Sequence, residues 1–205
     1  MIFSLPRLLQ LASPTLPIGA YSYSQGLEAA VEAGIVSDAA SAERWIADAL
    51  EFSLARMELA VLRQQMVEPT QALNDFFLAS RESAELRAET LQMGHSLAKL
   101  LADLGVEVPV EQPALPTAFA CAARAWNIPE RDALVAYLWS WLENQVMAAV
   151  KALPLGQTAG QKILLALGER LQSIAGAQAQ WLNFAPGLAF LSARHETQYS
   201  RLFRS

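Results

Sequence analysis

The stretch of this chain nearest to a nucleotide-binding motif is GQTAGQKI, Gly156–Ile163. A Walker-type phosphate loop has four residues between its glycines and a Ser or Thr after its lysine to hold the metal. Here three residues separate Gly156 from Gly160, Ile163 follows Lys162, and a helical run precedes the stretch where a strand is required. It reads as a helix-to-helix turn. HETQY, His195–Tyr199, starts like a zinc-protease helix, but Tyr199 stands where the second histidine belongs. His95 and His195 are the two histidines of the chain, so a helical two-histidine zinc site is excluded. His95 has no triad partner near it in sequence and reads as a helix-surface or core residue. Cys121, the sole cysteine, lies among alanines and reads as an inert core thiol. With no second cysteine there is no internal disulfide, which fits a reducing, cytoplasmic setting. No dinucleotide fingerprint and no paired catalytic carboxylates stand out. The sequence therefore assigns no catalytic, cofactor-binding or metal-ligating residue, and an enzyme acting alone is a poor reading.

The element that must position everything else is PERDALVAYLWSWLENQVMAAVKALP, Pro129–Pro154. Asn127 and Pro129 mark a helix start, Glu130 and Asp132 suit the positive end of its dipole, and Pro154 with Gly156 marks the stop. Ser140, Glu143, Asn144 and Lys151 form one polar stripe roughly 100° wide on a helical wheel. The rest is apolar, and Tyr137, Trp139 and Trp141 add large area. A helix apolar on nearly all sides is a core helix or a membrane span. Glu143 and Lys151 argue against a span, at roughly 2.5–3.5 kcal/mol each near a bilayer centre. The expected fold is all-α: a single-domain bundle, residues 1–205, of about eight to ten helices around a central helix at 130–153. Gln145 lies off the polar stripe, so it should be buried and hydrogen-bonded.

Composition points the same way. The 205 residues are 53% hydrophobic and only 17% charged, against about 25% charged in average soluble domains. The surplus apolar surface calls for a partner to cover it. The net charge of −5 excludes general nucleic-acid binding. Residues 28–111 hold 15 acids against 6 bases, and residues 112–205 hold 5 against 8. Such asymmetry can steer partners, or can reflect solvated helix faces. The N-terminus shows no basic segment before an apolar run, so no secretory signal is read.

Along the chain, Ile2–Ala12 is expected to hold a short helix. In SPTLPIGAYSYSQGLEAAVEAG, Pro14 and Pro17 keep Ser13–Gly19 irregular, Ser22 or Ser24 caps the next helix, and Gly34 ends it. This loop is unusually apolar and aromatic, with Leu16, Ile18, Tyr21 and Tyr23. A long helix should start at Asp38 or Ser41 and run to Val67, with Leu50, Leu54, Met57 and Val61 on one face. Thr70–Ala79 should be helical with Phe76 and Phe77 as anchors. Ser83–Leu104 follows, with Leu86, Met93, Leu97, Leu100 and Leu104 buried and Gly94 permitting a close helix contact. The proline-rich Val106–Pro116 is a connector. Helices are expected at Thr117–Trp126, Thr158–Ile174 and Leu188–Gln198, with a break at 175–187.

The tail, Arg194–Ser205, interleaves Arg194, Arg201 and Arg204 with Tyr199, Leu202 and Phe203. Arg and aromatics are enriched at interface hot spots. The expectation is a segment, 199–205, that is mobile or loosely docked when free and orders on a partner; the alternative is that Leu202 and Phe203 fold back on the core.

Four segments resemble the urease accessory protein UreF family: LASPTLPIGAYSYSQGLEAAVEAG, LQMGHSLAKL at Leu91–Leu100, LENQVMAAVKALPLGQTAGQ at Leu142–Gln161, and SARHETQYSRLFRS at the end. They span essentially the whole chain. One departure is Ala120, where the family often has glycine. The resemblance implies an all-helical, non-enzymatic maturation factor. It implies bridging of a UreD/UreH-type accessory protein and a nickel-binding UreG-type GTPase on apo-urease. GTP hydrolysis would then be coupled to nickel insertion at the carbamylated lysine of urease's own site. Family members are also thought to form homodimers. The partner-binding residues it suggests are Ser13, Pro14, Pro17, Gly19, Tyr21, Ser22, Tyr23, Ser24, Gln25, Gly26 and Glu28 in the first segment. In the third they are Glu143, Asn144 and Lys151, and in the last Arg194, His195, Glu196, Tyr199, Arg201, Leu202, Phe203 and Arg204. No nucleic acid and no membrane is expected among the partners. Two rivals stand beside this reading: a regulator of a GTPase with a client other than urease, and an independent enzyme with a helical substrate pocket. A neighbouring urease operon would separate the first, and turnover by the pure protein would favour the second.

Overall fold

The computed structural model describes residues 5–205 and is all-α among them. Residues 2–4 of the expected first helix lie outside the described residues. The helices are α1 (Leu5–Ala12), α2 (Leu27–Glu32), α3 (Ala39–Ala49), α4 (Leu59–Val67), α5 (Gln71–Ala79), α6 (Ala84–Asp103), α7 (Leu115–Ala125), α8 (Glu130–Ala152), α9 (Gln157–Gly168), α10 (Leu171–Gly176) and α11 (Pro186–His195). A 3₁₀ turn spans Ala20–Ser22. A π-helical stretch, Leu50–Glu58, joins α3 to α4 in one rod. With that rod taken once, the number of α-helices among the described residues falls in the expected range.

The central helix is α8. Pro129 precedes it in extended conformation, Glu130 and Asp132 occupy its first turn and Lys151 its last, so its ends complement the helix dipole. Leu134, Leu138 and Leu142 are fully buried. Around α8 pack α1, α2, α3, α4, α7, α9 and α10. The small residues Ala133, Ala136, Ala148 and Ala149 on its surface are buried and let those helices approach. Alanine-rich α7, with Ala118, Ala120, Ala122 and Ala123 buried, fits between α4 and α6 for the same reason. No helix among the described residues is long and apolar enough to cross a membrane.

Local signals explain the boundaries. Asp38 accepts from the Ser41 N–H at 2.7 Å, closing a capping box, and Thr70 and Ser83 cap α5 and α6. Leu50, Leu54, Met57 and Val61 form the buried face expected of them. Gly94 does permit a close contact, but against backbone: a Cβ there would lie 2.0 Å from the Pro113 carbonyl oxygen.

Several expectations need correction. The rod was expected to be a plain α-helix. Its π stretch leaves the Arg56 carbonyl to accept from the Trp181 N–H at 3.2 Å. Phe76 is half exposed and packs edge-on to Trp181, so Phe77 alone anchors α5. Leu104 is exposed and Leu101 takes its place inside, because α6 ends at Asp103. Thr158–Ile174 is two helices, broken at Glu169–Arg170, where Gly168 sits against the Trp139 ring. The last helix is shorter than expected, Pro186–His195. The tail, expected to be mobile or loosely docked, lies docked here: Phe203 and Ser205 are buried and bonded to the first segment. Its apolar side chain and backbone donors find partners on the chain's own surface. Of the expected interface groups it leaves Tyr199, Arg201, Leu202 and Arg204 exposed, Arg201 paired with Glu85.

Candidate functional site

The first segment folds into a platform for the tail. Gly19 turns the chain into the 3₁₀ turn, and Gln25 and Gly26 follow with φ of 51° and 77°. Left-handed geometry favours glycine at Gly26, and space is tight there: a Cβ would sit 3.2 Å from the Ser192 nitrogen of α11. This turn delivers Ser22–Gln25 to the junction of α6, α8 and α11.

Tail and platform are joined through backbone. The Ser24 N–H donates to the Ser205 carbonyl at 2.7 Å and its hydroxyl at 2.5 Å, while the Arg204 N–H donates to the Ser22 carbonyl at 2.7 Å. Glu28 accepts from the Leu202 N–H at 2.6 Å and the Phe203 N–H at 2.9 Å. His195 is fully buried between two acids, with Nε2 3.2 Å from Glu28 and Nδ1 2.8 Å from Glu85. Arg201 pairs with the other Glu85 oxygen at 2.7 Å. His195 ties α2, α6 and α11 together. The central helix adds Asn144, which donates to the Tyr23 carbonyl at 3.1 Å, and Lys151, whose Nζ lies 5.9 Å from the centre of the Phe203 ring. Burial pushes the Tyr23 phenol up, against a hydrogen bond from Arg204 that lowers it.

Beneath this junction lies a cavity of about 210 Å³. Ser13, Pro14, Leu16, Ile18 and Tyr21 of the first segment edge it, with Glu143, Asn144 and Lys151 of α8. Its floor is polar. The Tyr137 hydroxyl donates to Glu58 at 2.5 Å, Arg81 donates to the other Glu58 oxygen at 2.7 Å, and Glu89 accepts from Gln25 at 2.7 Å and Ser205 at 2.9 Å. The Trp141 indole donates to Gln25 Oε1 at 2.8 Å, locking that amide's orientation. Burial pushes the Glu89 carboxyl up to about 7, outweighing its two hydrogen bonds and the Arg81 charge. Burial and the nearby Glu58 push the Tyr137 phenol well up. Glu143, half-buried at the mouth, is raised by desolvation.

Most of the expected site residues therefore meet at one place. Ser22, Tyr23, Ser24, Gln25, Gly26, Glu28, Asn144, His195, Phe203 and the Arg204 backbone build the junction. Tyr21, Lys151, Leu202 and the Arg204 side chain are exposed around it. Arg194 instead lies over the Phe190 ring, Glu196 faces solvent, and Tyr199 is fully exposed. Ser13 bonds Thr15 within its own turn, and Pro14 and Pro17 shape the loop. Sequence reasoning missed Glu58, Arg81, Glu85, Glu89 and Ser205, and took Tyr137 and Trp141 as area alone. For Glu89 a signal existed: it lies three residues after Leu86 and four before Met93, on the buried face of α6.

The other chemical candidates resolve simply. Gly156–Ile163 is the start of α9, directly after α8, and makes the expected helix-to-helix turn. Cys121 is buried and its thiol is pushed up to about 11 by desolvation, an unreactive state. His95 is exposed. No group of three His, Cys, Asp or Glu that could hold a metal ion occurs among the described residues.

The family model for UreF matches residues 36–168. The chain is 54% identical to the urease accessory protein UreF of Azoarcus sp. (strain BH72), covering 100% of this chain and 97% of the relative. It is 52% identical to that of Dechloromonas aromatica (strain RCB), over 98% and 97%, and 49% identical to that of Methylobacillus flagellatus, over 98% of each. The chain belongs to the UreF family of urease accessory proteins, which serve urease maturation and are not themselves catalysts.

Proposed function

We propose that this chain, as a single UreF-like domain of residues 1–205 in the cytoplasm, bridges a UreD/UreH-type accessory protein and a UreG-type GTPase on apo-urease. In this role it couples GTP hydrolysis to insertion of the cargo nickel, and it works as a homodimer. The observation that supports the reading is the convergence of three of the four family segments at one junction. Their buried members, Ser24, Gln25 and His195, and the half-buried Glu28 and Asn144 fasten the junction together. Their exposed members, Tyr21, Lys151, Leu202 and Arg204, make a contiguous aromatic and basic rim around a shallow groove. Such a rim has the makeup of a docking surface, since Arg and aromatics dominate hot spots. Lys151, over the Phe203 ring, and Arg204, beside the Tyr23 phenol, make no ion pair among the described residues, so an acidic partner surface would meet both without a competing carboxylate.

The test is co-purification of the chain with the UreD/UreH-type partner, the UreG-type GTPase and apo-urease, followed by nickel content and urease activity. The double variant Tyr21→Ala, Leu202→Ala removes two exposed side chains and should leave the melting temperature within a few degrees. Capture of at least one partner and nickel delivery should fall sharply. Full capture and full activation by the variant would move the docking surface elsewhere.

A further inference from the structure

One donor on the floor of the cavity is left over. Arg81 lines the cavity with a side chain only 2% exposed. Its Nη1 donates to Glu58 at 2.7 Å, but its Nε is buried without a hydrogen-bond partner among the described residues. The Glu82 carboxylate stands 3.9 Å from Nε, outside hydrogen-bonding reach, and Glu82 does not line the cavity. The other polar groups of the floor are engaged. Glu58 holds Tyr137 and Arg81, one on each oxygen, and Glu89 holds Gln25 and Ser205 in the same way. Gln25 is used at both ends, since its Oε1 accepts from the Trp141 indole. Thr90 accepts from the Leu115 N–H at 3.2 Å. A buried N–H left without an acceptor costs more than an ordinary hydrogen bond contributes. The group that completes this cavity is therefore an acceptor.

Charge decides which kind of acceptor. Burial works against the Arg81 cation, and Glu58, Glu82 and Glu89 together outweigh it. That charge is already met, so a further anion beside it would be repelled. A cation would have to share carboxylate oxygens that already hold donors. A water molecule needs roughly two to four polar partners, and this floor has one to give. A carbonyl oxygen needs only that one, and it brings neither charge nor proton. The walls choose the rest of the molecule: Leu16, Ile18, Leu86, Met93 and Phe119 are apolar. At about 210 Å³ the space exceeds the roughly 150 Å³ cavity that accepts benzene, so a single ring or short chain fits.

We propose that this cavity is a binding site for a small neutral carbonyl compound with an apolar ring or chain, whose oxygen accepts from the Arg81 Nε–H. The apolar body lies against Leu86, Met93 and Phe119, and the ligand enters past Leu16 and Ile18 of the first segment. The Arg81–Glu58 pair stays in place, because the ligand uses a nitrogen that this pair leaves free.

Cyclohexanone, methylenecyclohexane, cyclohexylammonium and cyclohexanecarboxylate share one ring and differ in the group it carries. Each is titrated into the full chain, followed by calorimetry and by the Arg81 Nε–H resonance of an isotope-labelled sample. Saturable binding of cyclohexanone is expected, tighter than methylenecyclohexane by about tenfold and tighter than either ion. The ketone alone should move the Nε–H resonance. Ile18→Trp, which fills the mouth, should abolish binding with helicity unchanged. No saturable ketone binding, equal binding of the alkene, an Nε–H resonance that stays still, or tighter binding of either ion would each overturn the site. Ketone binding that persists in Ile18→Trp would lie elsewhere on the chain and overturn it as well. Should that variant fail to fold, the comparison of the four ligands and the Nε–H resonance of the unaltered chain decide the matter.

Discussion

Ser24 holds Ser205 twice, through its backbone N–H at 2.7 Å and its hydroxyl at 2.5 Å, although 181 positions separate them in the chain. Ser205 in turn donates its own hydroxyl to Glu89 at 2.9 Å. The tail is thus a structural member of the junction, not an appendage to it. Phe203 adds a buried ring beside these polar contacts.

Deleting residues 199–205 should accordingly destabilise the fold. Loss of Phe203 burial alone costs about 1.5–3 kcal/mol. Leaving Glu28 without its two backbone donors adds about 1–3 kcal/mol. A melting temperature lowered by several degrees or more is expected from thermal unfolding of the truncated chain. An unchanged melting temperature would mean that the docked tail contributes nothing to stability.

The limits of what could be read from sequence follow from where the information lies. Central helix α8 was legible because Pro129 and Pro154 bound it and its apolar faces demand burial; Gln145 is buried as its position off the polar stripe requires. The hydrogen bonding expected of it is not met: Nε2 is buried without a partner among the described residues. The π stretch was illegible because LEFSLARME contains no glycine or proline, and its register depends on Trp181 reaching Arg56 from far along the chain. The break at Glu169–Arg170 was hidden by good helix formers. For the tail, the same Arg and aromatic residues suit a foreign surface or the chain's own, and only the position of Glu28 decides between them. Of the acid cluster only the burial of Glu89 left a trace in the sequence; its meeting with Glu58 and Arg81 could not be read, because the three come from separate parts of the chain.

Gly94→Ala tests close backbone packing. On propensity alone the change should stabilise α6 by about 1 kcal/mol. A Cβ at this position, however, would lie 2.0 Å from the Pro113 oxygen and 2.6 Å from the Ala114 carbonyl carbon. Backbone cannot rotate away as a side chain can, so α6 and the start of α7 must separate. Overpacking of this kind costs about 1–3 kcal/mol or more. A net loss in denaturant midpoint is expected; a gain would show that the connector before α7 yields freely.

His195→Ala should be among the most destabilising single changes. Both ring nitrogens face carboxylates, Glu85 at 2.8 Å and Glu28 at 3.2 Å, inside a site where the ring has no exposure. Removing the ring leaves Glu28 and Glu85 facing a void, with Arg201 still paired to Glu85. Breaking a buried pair typically costs about 3–5 kcal/mol. Urea unfolding should show this loss, and His195→Gln, which can still donate to one acid, should recover part of it.

Glu89 gives the fold a pH dependence of opposite sign to that of ordinary paired carboxylates. In the folded chain it keeps its proton up to about pH 7, whereas its ordinary value is 4.5. Between those two values the folded state binds more protons than the unfolded one. Stability from this group is therefore complete below about pH 4.5, declines as pH rises towards 7, and changes no further above that. The whole effect is on the order of 3 kcal/mol. Asp38 acts in the other direction, because the Ser41 backbone and hydroxyl hold its carboxyl below the usual range, but its contribution is lost only at pH values under this window. Glu89→Gln keeps the shape of the side chain and an acceptor for Gln25, while the Ser205 hydroxyl can turn to accept from the new amide. Between pH 5 and 7, a range set by the Glu89 values, the variant should therefore lose the downward slope seen in the parent and should be the more stable of the two at pH 8, roughly one unit beyond the window. Thermal melts across that range read both effects. Parallel stability curves for parent and variant would mean that Glu89 is ionised throughout, its charge met by the cluster around Arg81.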